Sequence, residues 1–282
     1  MKIIKEIEKI KKIIKKIKME NKSISLVATM GNIHKGHLSI IKKAKEITNV
    51  TIVSIFINPM QFNNEKDIKN YPRTIEQDFN LLKKNNVDII FYPKEKQILK
   101  KTKSLHTFVE VPYLSNILEG KKRKKHFRGV TTIIAKLFNI IQPNIALFGE
   151  KDYQQLFIIK NLVNDMNYDI KIISVPTIRH KNGLAISSRN IHLTKKQFML
   201  ALNIYKNLKY IKKEIKKRQK NIKEILLISR KKLTNKGFVI DLLKVSDRTS
   251  LAPFSKNSKK IIVFLSVIIK NIRLIDNIKV NL

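Results

Sequence analysis

The sequence predicts an α/β protein in two parts, a parallel-sheet domain over residues 1–176 and a smaller α+β domain over 177–282. Three observations carry this reading. Apolar runs such as Ile24–Thr29, 50–57 and 145–148 are continuous rather than alternating, as strands covered on both faces are. Segments of helical period separate them, the arrangement that joins parallel strands. Near Pro176 the texture changes to a polar loop and then long Lys-rich helices.

The elements follow in order. Residues 1–18, with Ile3, Ile7, Ile10, Ile14 and Ile17 on one stripe, read as a basic amphipathic helix packed on the sheet. Ile24–Thr29 is the first strand. The helix behind it runs to about Thr48 on Leu38, Ile40, Ile41, Ala44 and Ile47. A strand at 50–57, a loop, a helix at 74–84 and strands at 89–92 and 107–111 come next. Then follow a helix at 131–141, a strand at 145–148, a helix at 154–166 and a strand at 169–175. Beyond a polar loop at 179–190 come helices at 195–217 and 221–235 and strands at 238–245 and 261–269.

Bulk composition excludes several classes. There is no cysteine, so disulfides, thiolate metal sites and a cysteine nucleophile are ruled out. The net charge is +38, yet only nine of the 59 basic residues are arginine, and the lysines are spread along the whole chain. Aromatic residues make up 7% with no basic–aromatic interleaving, which argues against base-stacking platforms. We therefore expect no nucleic-acid partner and no membrane partner, and a cytoplasmic location. The 1–18 helix contains Glu6 and Glu8 and lacks the Arg and Ser of a transit peptide.

The chemistry concentrates at strand ends. Met30, Gly31, Asn32, Ile33, His34, Lys35, Gly36 and His37 follow the first strand and open a helix, where free backbone amides favour phosphate. His34 and His37 are three apart and can address one ligand whose phosphate gains charge during reaction. After the second strand, Asn58 and Gln61 offer amides that both donate and accept, suited to hydroxyls and a carboxylate. After residues 145–148, Gly149, Glu150, Lys151 and Asp152 turn into a helix bearing Gln155; Lys151 supplies a point charge for phosphate, and Asp152 can cap the helix. Ile186, Ser187, Ser188 and Arg189 lie on a loop that can clasp a triphosphate and act as a lid.

Taken together, these segments resemble the pantothenate synthetases (pantoate–β-alanine ligases) of the H-x-G-H nucleotidylyltransferase superfamily. The resemblance rests on 30–37, 53–62, Tyr71-Pro72-Arg73-Thr74, Leu118-Glu119-Gly120, 126–130, 136–139, 148–152 with Gln154-Gln155, 187–190 and 273–277. H-x-G-H alone also fits cytidylyltransferases and class I tRNA ligases; the Asn-Pro-x-Gln-Phe and Gly-Glu-Lys-Asp segments exclude most of those. It implies a Rossmann-like ATP- and pantoate-binding domain followed by a C-terminal lid domain. The implied reaction forms pantothenate from pantoate, β-alanine and ATP through a pantoyl adenylate. A nucleotidylyltransferase releasing a stable nucleotide-linked product is the alternative within the superfamily.

The resemblance further implies site roles. His37, His34 and Lys151 are catalytic, with His37 the proton donor. ATP is bound by 30–37, by Gly149, Glu150, Lys151 and Asp152, by Ile178, and by Ile186, Ser187, Ser188 and Arg189. Gln61 and Gln155 hold pantoate or β-alanine. Mg²⁺ accompanies ATP with ligands not identified, Asp78 and Glu76 being the nearest carboxylates considered. A homodimer is implied as well. Three departures stand out: Ala28 replaces a proline, 99–104 lacks a Tyr-Pro and a glycine, and Lys124-Lys125 replaces Pro-Gly.

Overall fold

The computed structural model describes residues 1–62, 68–99, 106–217, 219 and 221–282. The chain forms two compact units: Met1–Glu150 with Gln154–Pro176, and Lys151–Tyr153 with Thr177–Leu282.

The first unit is a six-stranded parallel sheet. Its strands are β1 (Lys2–Ile4), β2 (Ile24–Thr29), β3 (Val50–Ile55), β4 (Ile89–Phe91), β5 (Ile145–Gly149) and β6 (Lys171–Val175). Their spatial order is β1-β4-β3-β2-β5-β6. The main helices of this unit are α1 (Ile7–Met19), α2 (Lys35–Ile47), α3 (Ile75–Lys84), α4 (His126–Ile141) and α5 (Tyr153–Asp165), whose first residue groups with the second unit. One core cluster joins Ile41 and Ala44 of α2 and Leu82 of α3 to Val27, Val53, Ile90 and Leu147 of the strands. Ile10 and Ile14 of α1 and Phe138 of α4 are also buried. The strands read as uninterrupted apolar runs because both faces are covered.

The chain runs β2, β3, β4 toward one edge and then returns to place β5 on the other side of β2, with Ser25 opposite Ile145. The order of the sheet therefore reverses between β2 and β5. In open α/β sheets, ligands bind outside the carboxyl ends of the strands at this switch point.

The second unit is a three-stranded antiparallel sheet, β7 (Val239–Asp247), β8 (Lys260–Ile269) and β9 (Ile272–Asn281), in sequence order. Its helices α6 (Lys195–Ala201), α7 (Asn203–Lys217) and α8 (Ile222–Thr234) contribute Ala201, Ile204, Leu208, Ile211, Ile225 and Leu233 to a core shared with Val263, Leu265 and Leu274.

Several elements differ from the sequence reading. The N-terminal helix begins only at Ile7, because Lys2–Ile4 is a strand pairing with β4, Ile3 opposite Ile90. Residues 107–111 are not a strand; the backbone of Val109 is tied instead to the hydroxyls of Thr131 and Thr132. The helix expected at 131–141 starts five residues earlier. The one expected at 195–217 is two helices, divided where the Asn203 amide caps the Leu200 carbonyl at 2.8 Å. Residues 272–281, given no element in the sequence reading, form β9. Of the departure at 99–104, residues 100–104 lie outside the described residues. At the Lys124-Lys125 departure, Lys125 takes a left-handed conformation (φ 64°) as the N-cap of α4, a geometry that favours glycine. Among the described residues no helix is long and apolar enough to cross a membrane.

Candidate active site

The turn between β2 and α2 is built around Gly31, whose φ of +81° is poorly accessible to other residues. Gly36, the other glycine of the motif, lies inside the first turn of α2. A buried carboxylate holds the turn: Asp78 accepts the N–H of Asn32 at 2.9 Å and that of Ile33 at 2.7 Å, and Thr74 Oγ1 donates to it at 3.2 Å. Asp78 is thus a brace for the loop, which explains its burial.

His34 is the N-cap of α2. Its Nδ1 accepts the N–H of Gly36 at 3.2 Å, and Nδ1 of His37 accepts the N–H of His34 at 3.4 Å. The two rings stack with centroids 4.0 Å apart. A ring nitrogen that accepts a backbone N–H carries no proton, so each neutral imidazole holds its hydrogen on Nε2. The cap therefore fixes the tautomer of both histidines and turns them into paired Nε2–H donors at the positive end of a helix.

The end of β3 is close by. Gln61 Nε2 donates to Met30 Sδ at 2.7 Å, and its Oε1 accepts from Asn58 Nδ2 at 3.2 Å. Asn58 also donates to the Gly129 carbonyl at 3.0 Å and accepts from Met60 N at 3.0 Å, so its amide is committed to shaping the turn and not to a ligand. The Gln61 carbonyl accepts from His126 Nδ1 at 2.8 Å, and Arg123 Nη1 meets His126 Nε2 at 2.9 Å. Gly129 is needed because a Cβ there would lie 2.5 Å from the Met60 carbonyl oxygen.

Beside β2, β5 ends at Gly149, where an added Cβ would lie 3.4 Å from Ile40 Cδ1 of α2; Glu150 follows. Gln154 is buried and spends its amide on backbone groups at Glu119, Leu114 and Ile117. Gln155 is only half-buried. Thus the β2, β3 and β5 ends of the first unit bring together 30–37, Gln61, Gly149 and Glu150.

The remaining candidates lie in the second unit. Lys151 and Asp152 occupy a 3₁₀ turn with Lys151 Nζ 3.5 Å from Asp152 Oδ2. Asp152 belongs to that turn rather than to the following helix. Ile178 and Ile186 are cross-hairpin partners through a 3.0 Å backbone bond. That hairpin delivers Ser187, which caps a short 3₁₀ helix by accepting from Arg189 N, while its N–H donates to Asn190 Oδ1 at 2.8 Å. No cluster of three or more His, Cys, Asp or Glu among the described residues is arranged to hold a metal ion.

A model of the family described as pantoate-beta-alanine ligase matches residues 2–279. The chain belongs to this family. The pantothenate synthetase of Buchnera aphidicola subsp. Schizaphis graminum is 52% identical over 281 residues, covering 99% of each chain. The structure of the pantothenate synthetase from Thermus thermophilus superposes with a TM-score of 0.90 at 31% identity, covering 99% of both chains. That of the Francisella tularensis pantoate-beta-alanine ligase, complexed with beta-gamma ATP and beta-alanine, gives 0.81 at 37%, covering 99% of this chain and 97% of the other.

Against this family background, the sequence reading missed two features. It did not see the structural role of Asp78, 45 residues from the turn it braces, or the link from Arg123 and His126 to Gln61. A carboxylate at a helix start with no basic neighbour at helical spacing is the only trace Asp78 leaves in the sequence.

Proposed function

We propose that this chain condenses pantoate with β-alanine at the expense of ATP, giving pantothenate, AMP and pyrophosphate through a pantoyl adenylate. The observation that carries the reading is the stacked pair His34 and His37, held as Nε2–H donors by the cap of α2 at the switch point of the sheet. In the first step a pantoate carboxylate oxygen attacks the α-phosphorus of ATP and pyrophosphate leaves. The nucleophile is already ionised at neutral pH, so the protein's task is positioning and charge stabilisation. In the second step the free amine of β-alanine attacks the acyl carbon of the mixed anhydride, the acyl C–O bond breaks with its electron pair leaving on AMP, and the proton released from nitrogen passes to solvent.

The Nε2–H groups of His34 and His37 stabilise the phosphate oxygens as charge develops, His37 through a hydrogen bond rather than by transfer of its proton. The amides of 30–37 and of 149–152, with Ile178 and Ile186, line the nucleotide, and Lys151, Ser187, Ser188 and Arg189 neutralise the triphosphate. Gln61 and Gln155 orient pantoate and β-alanine. Magnesium would accompany ATP and offset phosphate charge, since among the described residues no cluster of His, Asp or Glu is arranged to hold it. The same proposal covers residues 1–176 as the ATP/pantoate domain and 177–282 as the lid, a cytoplasmic location, and a homodimer. Light scattering at twice the chain mass of 32.9 kDa checks the last.

The test is AMP formation with ATP, Mg²⁺, pantoate and β-alanine, each omitted in turn. Product should require all of them, and pyrophosphate release should require pantoate but not β-alanine. His37→Ala should lower adenylation by about 10²–10³-fold with the fold intact. AMP formed at an undiminished rate by that variant would remove the role given to His37, and pyrophosphate release independent of pantoate would overturn the reaction.

A further inference from the structure

Two adjacent residues of β9 connect the segments of the second unit that carry the proposed phosphate ligands. Asn277, 7% exposed, donates from Nδ2 to the carbonyl oxygen of Lys151 at 3.0 Å. Its own backbone N–H donates to Asp276 Oδ1 at 2.8 Å. Asp276 is buried and accepts both arms of Arg179, Nη1 to Oδ2 at 2.6 Å and Nη2 to Oδ1 at 2.9 Å. Arg179 Nη1 also donates to the Gly183 carbonyl at 3.1 Å, and the guanidinium carbon lies 3.7 Å from the Tyr205 ring centroid. Gly183 closes the hairpin with φ +96°, and a Cβ there would sit 2.7 Å from Tyr205 Cδ1. An unbroken chain of contacts thus runs from the Lys151 backbone to the hairpin that ends at Ser187.

A buried ion pair is a poor device for stability alone, since well-packed apolar residues often do as well. Burial pushes the Asp276 carboxyl above the ordinary carboxylate range, opposed by Arg179, the Asn277 N–H and Lys151. What the bidentate pair supplies is direction: a planar fork meeting a carboxylate fixes both partners in orientation as well as distance. Asp276 and Asn277 face Leu265 and Phe264 in the middle of the β8–β9 ladder, so the anchor itself is rigid. Both tethered segments are irregular, a 3₁₀ turn and a hairpin loop, whose own backbone bonds hold them less firmly.

We propose that Asn277, backed by the Asp276–Arg179 pair, is a positioning device that sets Lys151 and the 178–189 hairpin in the geometry that receives the phosphates of ATP. This rests on the reading of Lys151 and of Ser187, Ser188 and Arg189 as phosphate ligands. None of the three positioning residues touches substrate; they act through the groups they hold.

The experiment uses the full-length variants Asn277→Ala, Asn277→Ser and Arg179→Lys, with Lys151→Ala as the control on the underlying reading. Two half-reactions are measured separately: pantoate-dependent exchange of pyrophosphate into ATP, and release of AMP from preformed pantoyl adenylate by β-alanine. For Asn277→Ala and Arg179→Lys we expect a higher KM for ATP and adenylation slowed by about 10–100-fold, because a misplacement near 1 Å can cost that much. Aminolysis and the KM for pantoate should be affected at least about tenfold less than adenylation in the same variants, since the β- and γ-phosphates that Lys151, Ser187, Ser188 and Arg189 receive are absent from the adenylate. Asn277→Ser, which keeps a donor, should fall between, and it carries the test if the other variants do not fold. Equal losses in both half-reactions with an unchanged KM for ATP would mark a structural role only and overturn the proposal. If Lys151→Ala is impaired and Asn277→Ala is not, the positioning role falls alone; if Lys151→Ala is unimpaired, the phosphate reading falls and takes this inference with it.

Discussion

At Asp78 one side chain decides the shape of a loop it does not belong to. Its two oxygens answer consecutive amides, those of Asn32 and Ile33. Asparagine at this position has one acceptor and would turn an NH₂ toward one of those N–H groups. Hydrogen bonds to a charged partner contribute roughly 1.5–3 kcal/mol each, so we expect Asp78→Asn to cost about 2–4 kcal/mol in urea unfolding. Adenylation should fall on the order of 10²-fold as the histidine cap loses its support. An unfolding midpoint and rate equal to the parent's would mean that the turn is held by other contacts. The histidines themselves were legible because helix entry and spacing are local in sequence. Their tautomer was not, since it depends on which backbone N–H groups reach each ring.

Among elements, the packing of α4 on the turn after β3 sets two local rules against each other. Helix propensity alone favours Gly129→Ala by up to about 1 kcal/mol. The added Cβ, however, would meet the Met60 carbonyl at 2.5 Å and Gln61 N at 2.9 Å, both backbone atoms with no rotamer to yield. Sterics should win. We expect destabilisation by about 1–3 kcal/mol together with a raised KM for pantoate, read by thermal melts and initial rates. The β7–β8 connection gives a pH-dependent prediction. The Thr249 hydroxyl, the largest influence, holds the Asp247 carboxyl down at about 2 against a reference of 3.8. With the folded value below the unfolded one, its contribution is fully present above about pH 4 and disappears as pH falls through about 2. An NMR titration of Thr249→Ala should show the Asp247 midpoint moving up toward the ordinary range; an unmoved midpoint would assign the effect to the neighbouring amides. Element type was legible where patterns were long, as in Ile24–Thr29 or α2. It failed for Lys2–Ile4, three residues whose Ile3 happens to continue a helical stripe. It failed again for β9, whose turn uses Lys270 at φ 52° in place of a glycine signal.

For the molecule as a whole, the net charge of +38 on 282 residues is the dominant long-range term. Lysines scattered over both units repel one another over about 30 Å at 0.01 M salt and only about 8 Å at 0.15 M. We expect the melting temperature to rise by several degrees over that range and then level off, as followed by scanning calorimetry. A melt indifferent to salt would show that the charges are already compensated locally. The sheet order and its switch point were legible only in outline, because a run of buried strands announces a parallel sheet without announcing its neighbours. The family's motifs, spread over nearly the entire chain, supplied what periodicity could not.

The assignment of Lys151–Tyr153 to the second unit, while the strand before it and most of the helix after it belong to the first, has a corollary. A fragment ending at Pro176 would keep Lys151 yet lack the strand that grips its carbonyl. Cutting the chain at Pro176 would therefore sever that grip and leave Lys151 without its partner strand.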